Sequence, residues 1–294
     1  MMINYDYIRI QDKNQLSRLL EQYGDEAKIV AGGTDLLVQI HENSSKLSHM
    51  KMMLDISHLE KEMKYIYMEN GELVIGALST HTEIEKDPNV RTYFPSLSEA
   101  CSLVGSPQIR NMGTIGGSIS NASLAADPVP PLLAAEAVVV IGRGETTRRI
   151  LLEEFYLGSG KTALEIGEYL LEVRIPMKEG QVYEAFEKLG RRKALAISRL
   201  NAAVRYTLDE NGRINWVRVA PGCIFPLPKR SVKAEEMLIG KCPSKELFCE
   251  AGKAVSEEMI EKTGIRWSTA YKQPAIEGVI EKVLATAAGL WEEV

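Results

Sequence analysis

The sequence predicts an α+β protein of two unlike halves, and three observations carry that reading. Strand-like and helix-like segments alternate over the first fifty-odd residues. Alternating apolar positions on either side of Asn211-Gly212 mark an antiparallel sheet, and from Ser231 onward the pattern is helical. A boundary in PMKEGQ, near residue 178, separates 1–177 from 178–294, and the first part divides again into lobes of about 1–57 and 58–177.

Taken in order, YDYIRI reads as a strand and KNQLSRLLEQYG as a helix, with Leu16, Leu19, Leu20 and Tyr23 on one face. AKIVAGG, TDLLVQIHEN and KMMLDIS continue as strand, helix and strand, which short crossovers would gather into a mixed sheet. MKYIYMENGELVIGAL is a hairpin, because Asn70-Gly71 supplies two residues that tolerate positive φ between alternating strands. THTEIEKDP opens like a helix capped by Thr80 or Thr82, and FPSLSEACSLV continues helical from Pro95. AAEAVVVIGRGETTRRILLEEF returns to strands around Gly142–Gly144, and EYLLEVRIP is a strand ending at Pro176. No 20–50-residue repeat and no low-complexity segment interrupts the chain.

With 294 residues the chain can hold two or three domains, and 45% apolar with 26% charged residues is the ordinary globular range. The net charge of −5 and the scattered basic residues leave no footprint for nucleic acid or an anionic membrane. No signal-peptide pattern and no membrane-length apolar run is present, so the expected location is cytoplasmic. Cys101, Cys223, Cys242 and Cys249 are dispersed, which reads as buried reduced thiols, and His41, His49, His58 and His81 form no ligand pair. No metal is expected in this chain.

Chemistry concentrates in two glycine-rich stretches. In KIVAGGTDLL, Gly32 and Gly33 remove Cβ atoms where a strand ends, and Thr34 or Asp35 can cap the helix that follows. Such a turn points several backbone N–H groups one way and forms an anion seat, although a bare tight turn would use the same residues. The second stretch is GSPQIRNMGTIGGSISNASLAADP, residues 105–128, with four glycines, small hydroxyl residues, two asparagines and Asp127 before a proline. It holds too few large apolar side chains for core, so another molecule lying against it best explains its order. Two such loops suit a bulky diphosphate ligand. GTIGGS has the wrong glycine spacing for the dinucleotide fingerprint GxGxxG. GSGKT, residues 158–162, imitates the end of a phosphate-binding P-loop, but Phe155 stands where its first glycine belongs, and a surface turn is expected there.

These two motifs, in this order, resemble the FAD-binding subunit of bacterial molybdenum hydroxylases, most closely the xanthine dehydrogenase type, with the carbon monoxide dehydrogenase medium subunit as a relative. The likeness extends through LLEVRIP, FEKLGRRKALAISRLNAAV and the helical tail. It implies a two-lobed FAD-binding domain of the vanillyl-alcohol-oxidase type and a smaller α+β C-terminal domain. It also implies that Ile29, Val30, Ala31, Gly32, Gly33, Thr34, Asp35 and Leu36 wrap the FAD pyrophosphate. Thr114, Ile115, Gly116, Gly117 and Ser118 would form the second wall, Asp127 would bond the cofactor, and Leu170 and Lys188 would flank the flavin. Val104 stands where an aromatic ring packs on the flavin in animal xanthine dehydrogenases, and Ser118 stands where asparagine is usual.

The resemblance further implies non-covalent FAD, NAD+ as electron acceptor, and molybdopterin and [2Fe–2S] clusters held by a large and a small partner subunit. This chain has no ligands for those metal centres, so substrate oxidation would require the heteromeric complex. A stand-alone flavoprotein of the UDP-N-acetylmuramate dehydrogenase type would need its own acid and substrate residues, which the tail lacks. A non-catalytic nucleotide-binding module would also account for the loops.

Overall fold

A computed structural model describes residues 4–192 and 194–291. Strand β1 (Asp6–Arg9) leads into helix α1 (Lys13–Tyr23), whose first turn is capped by the Asp12 side chain on the Gln15 amide. Strand β2 (Ala27–Val30), helix α2 (Leu36–His41) and strand β3 (Met52–Asp55) follow. The strand order is β1-β3-β2, and both pairings are parallel. The expected mixed sheet is therefore wrong for this region: each connection crosses over the sheet and re-enters at the end where the preceding strand began, so all three strands run the same way.

A short helix α3 (Glu60–Met63) precedes the hairpin of β4 (Ile66–Glu69) and β5 (Glu72–Gly76), where Asn70 and Gly71 take φ of 49° and 76°. Both positive values match the primed turn that the Asn-Gly pair favours. Helix α4 (His81–Lys86) is capped by Thr80 rather than Thr82, with Glu83 completing a reciprocal capping box. Four further helices, α5 (Pro88–Tyr93), α6 (Pro95–Ser102), α7 (Pro107–Met112) and α8 (Ile115–Ser120), wind towards α9 (Val129–Ala134), which is wholly buried. The hairpin of β6 (Val138–Arg143) and β7 (Thr146–Leu151), the helical turn α10 (Leu152–Phe155), the pair β8 (Tyr156–Gly158) and β9 (Lys161–Thr162), and β10 (Tyr169–Pro176) complete the first part. The five-stranded antiparallel sheet runs β4-β5-β10-β6-β7. GSGKT forms the exposed tip of the β8–β9 hairpin, with no helix after it to receive a phosphate.

Strands β11 (Val182–Gly190), β12 (Ser198–Leu208) and β13 (Ile214–Gly222) form an antiparallel sheet backed by α11 (Val232–Leu238), α12 (Lys245–Thr263) and α13 (Thr269–Ala287). Apolar residues of this sheet, including Val204, Tyr206 and Val219, pack with Phe248, Val255 and Ile280 in a core of their own. The main core of the first part joins Leu16 of α1 and Leu54 of the parallel sheet to Leu73, Ile75 and Val173 of the antiparallel one, and it extends to Phe186, Ala203 and Ala220 beyond the boundary. The two lobes thus share one interior. Of the thiols, Cys101 is buried but Cys242 is exposed, against the expectation of uniform burial, because it lies in the polar connection ahead of α12.

Candidate functional site

At the end of β2 the chain turns through Ala31–Asp35 into α2, and Gly33 takes φ of +71°, a left-handed value that side chains resist. Asp35 occupies the N-cap position, yet its side chain makes no capping bond. The first amide to close a bond is that of Leu37, on the Gly33 carbonyl at 3.1 Å. Among the described residues, the amides of Gly32, Gly33, Thr34, Asp35 and Leu36 are left without a protein partner. Ile29 and Val30 belong to β2, and Leu36 packs on the small cluster of Val30, Leu47, Met50 and Met53, which fixes the turn from beneath.

The two glycine-rich stretches meet backbone to backbone. A Cβ on Gly32 would fall 1.7 Å from the Met112 carbonyl oxygen, and one on Gly113 would lie 3.4 Å from Thr34 Oγ1 and 3.2 Å from His81 Cδ2. Gly116 is pressed on Ala77, whose carbonyl accepts its amide at 2.9 Å. The Ile115 amide donates to the Ser79 carbonyl at 3.0 Å, and the Gly117 and Ser118 amides donate to Thr114 Oγ1 and the Thr114 carbonyl. The first loop thus leaves its amides free, whereas the amides of the second pin it to the segment after β5 and to Thr114. Its outward groups are Gly117, which is exposed, and the half-buried Ser118 hydroxyl.

Behind Ser118 stands His81, which has no ligand-spaced partner in the sequence. Its Nε2 lies 3.0 Å from Ser118 Oγ, and the ring is 2% exposed. Burial, with a further push from the Arg110 charge, lowers its pKa to about 4. The unfolded chain protonates this histidine near pH 6.5, so between about pH 6.5 and 4 the unfolded state binds the extra proton. Stability from this group is complete above that window and lost as pH falls through it. His81→Gln should remove about 3 kcal/mol of this acid sensitivity, read as a shallower fall in urea-unfolding free energy from pH 7 to pH 4.

Where the two parts of the chain face each other lies a cavity of about 610 Å³, lined by Leu103, Gly105 and Arg110 on one side and Lys188, Arg191 and Arg192 on the other. Val104 sits between two lining residues, and its carbonyl accepts from Arg110. Lys188 donates to the Leu103 carbonyl at 2.8 Å and to Asp127 Oδ2 at 2.6 Å. Asp127 is buried and also accepts from Ser198 Oγ at 2.5 Å and Asn201 Nδ2 at 3.0 Å. Its carboxylate thus holds β11 and β12 to the end of the second loop, rather than standing open to a ligand. Leu170 is 5% exposed within the main core and does not line the cavity. Sequence reasoning missed the cationic rim, although the run RRK at 191–193 carries that signal.

Residues 3–178 match the family model described as the FAD binding domain in molybdopterin dehydrogenase, and residues 184–287 match the CO dehydrogenase flavoprotein C-terminal domain. The chain belongs to the FAD-binding subunit family of molybdenum hydroxylases. It is 36% identical to the nicotinate dehydrogenase FAD-subunit of Eubacterium barkeri, over 96% of this chain and 95% of that one. It is 30% identical to the xanthine dehydrogenase FAD-binding subunit of Escherichia coli O157:H7, over 89% of each. Its fold matches a chain of carbon monoxide dehydrogenase from Hydrogenophaga pseudoflava with a TM-score of 0.88 and 28% identity, covering 99% of this chain and 100% of that one. The protein is accordingly an oxidoreductase component with a FAD-binding domain followed by a C-terminal α+β domain. The unpaired amides of the first glycine loop suit an anionic group such as a pyrophosphate. Among the described residues, no group of three or more His, Cys, Asp or Glu side chains is placed to hold a metal ion, and no helix is long and apolar enough to cross a membrane.

Proposed function

We propose that this chain carries non-covalent FAD as the electron-transfer subunit of a cytoplasmic, xanthine dehydrogenase-like hydroxylase. It would work with a molybdopterin-binding large subunit and a [2Fe–2S] small subunit, and it would deliver electrons to NAD+. The observation that carries this reading is the row of unpaired amides from Gly32 to Leu36, set against Met112. FAD, when bound, supplies the exchange between single electrons from clusters and the hydride of a nicotinamide.

The residues of the chain bind and orient. The amides of Gly32–Leu36 face the pyrophosphate, with Ile29, Val30 and Ala31 as their rigid base and Thr114–Ser118 as the opposite wall. Val104 gives the ring an aliphatic neighbour in place of an aromatic one, and Leu170 supports the wall from the core. Lys188, anchored on Asp127 and the Leu103 carbonyl, holds a positive charge at the cavity edge. Arg191 and Arg192 favour an anionic dinucleotide at the mouth. Neither glycine loop contains a Cys or His at residues 29–36 or 114–118 to tether the flavin.

Acid precipitation of the purified protein should therefore release all its flavin into solution, and colour left on the polypeptide would contradict non-covalent binding. The FAD-loaded chain should reduce artificial dyes from NADH while oxidising neither xanthine nor nicotinate. Those substrates should be turned over only after reconstitution with both partner subunits. Substrate oxidation by the isolated, metal-free chain would overturn the electron-transfer reading.

A further inference from the structure

The second glycine loop poses a question of donors. Its four successive amides, from Ile115 to Ser118, are all engaged within the protein, and Thr114 Oγ1 accepts one of them. If this loop faces a pyrophosphate, Ser118 is its half-buried hydroxyl able to reach outward. What that hydroxyl does is set by the ring behind it.

His81 is held firmly. Its amide donates to the Gly113 carbonyl at 3.1 Å, Thr80 pairs with Thr114 in an isolated antiparallel bridge, and the ring sits beneath Gly113 close to Thr34 of the first loop. The ring is neutral at physiological pH, so one nitrogen carries hydrogen and the other a lone pair. Nδ1 is buried with no hydrogen-bond partner, whereas Nε2 lies 3.0 Å from Ser118 Oγ. A hydrogen on Nδ1 would strand a buried donor, the rarer and costlier defect, while a lone pair there is the lesser one. The hydrogen therefore belongs on Nε2, and Ser118 Oγ accepts it. That leaves the Ser118 hydroxyl hydrogen free to point away from the ring.

We propose that His81 is a positioning residue for the cofactor: by donating from Nε2 to Ser118 Oγ, it turns the Ser118 hydroxyl into a fixed donor to the anionic pyrophosphate of FAD. In the opposite tautomer the ring would take the hydroxyl hydrogen, and Ser118 would present only lone pairs to an anion. The pair supplies from two side chains the polar contact that the asparagine usual at position 118 would give from one. This inference rests on FAD binding between the two loops.

The test uses the full chain, stripped of flavin and titrated with FAD by fluorescence quenching, together with ¹⁵N-histidine NMR. Only four histidines are present, and the His81 signal is identified by its loss in His81→Gln. The FAD-bound protein should show the Nε2–H tautomer at His81. Ser118→Ala and His81→Leu should each weaken FAD binding about tenfold, the scale of one hydrogen bond to a charged group, and the double variant should be no weaker than either. His81→Gln, which places an amide N–H near the Nε2 position, should stay within about twofold of wild type and keeps the test open if the leucine variant misfolds. An Nδ1–H tautomer, additive losses, or equal losses in the leucine and glutamine variants would overturn the proposal. Wild-type protein that binds no FAD would instead overturn the functional reading beneath it.

Discussion

Gly32→Ala is expected to leave the protein without flavin. The added methyl would lie 1.7 Å from the Met112 carbonyl oxygen and 2.5 Å from its carbon, and both are backbone atoms that cannot swing aside. Met112 ends α7, and the next residue is fixed from both sides, its amide on Ile109 and its carbonyl under the His81 amide. The first loop must move instead, carrying its row of free amides away from the second. Overpacking of this kind costs roughly 1–3 kcal/mol even where side chains can adjust, so a loss of at least about a hundredfold in FAD affinity is expected here. Flavin absorbance per chain in the purified variant measures it, and circular dichroism should show the α12–α13 helices intact. Gly33→Val should also lose flavin, through strain at φ of +71°, but the atoms nearest its new Cβ belong to the Leu37 and Val30 side chains. Full occupancy in Gly32→Ala would mean that the contact between the loops has no part in holding the cofactor.

Arg205→Ala should be the most destabilising change at the boundary between the two domains. Arg205 of β12 pairs with Glu184 of β11 at 2.6 Å, and both side chains are 3% exposed. Glu184 also accepts the Ser96 amide at 2.9 Å and its hydroxyl at 2.7 Å, at the start of α6, while the guanidinium lies over the Phe94 ring. Removing the arginine leaves a buried carboxylate facing a ring and a helix end, a defect costing about 3–5 kcal/mol. Urea unfolding of the FAD-free protein should show that loss. Replacing both residues by methionine should restore much of it, because the stranded charge disappears with its partner. A loss below about 1 kcal/mol in the single variant would show that water reaches the pair.

Much of this architecture was legible in the sequence. The two hairpins with Asn-Gly turns, the Thr80 cap and the Gly32-Gly33 turn are local devices, written in residues that stand side by side. The relation between distant segments was not legible. That Ile115 and Gly116 would give their amides to Ser79 and Ala77 depends on which carbonyls lie beneath them, and these belong to a segment more than thirty residues upstream. The family resemblance makes Asp127 a cofactor contact, yet Lys188, Ser198 and Asn201 meet it only after β11 and β12 have folded against it. His81 carried no signal at all, since a histidine in a capped helix reads the same whether it is exposed or buried.

The main core crosses the covalent boundary at Phe186, Ala203 and Ala220, and the Asp127–Lys188 and Arg205–Glu184 pairs join partners on either side of that boundary or hold helix α6 against it. Seen as inheritance, the chain is not two interchangeable cassettes. A crossover between related genes at the linker would graft a β11–β12 sheet onto a first domain chosen for different partners, stranding an acid or a base at each mismatch. Exchange of the C-terminal half should be tolerated only when these contacts travel as a matched set, so the seam inside the molecule sets which recombinants persist.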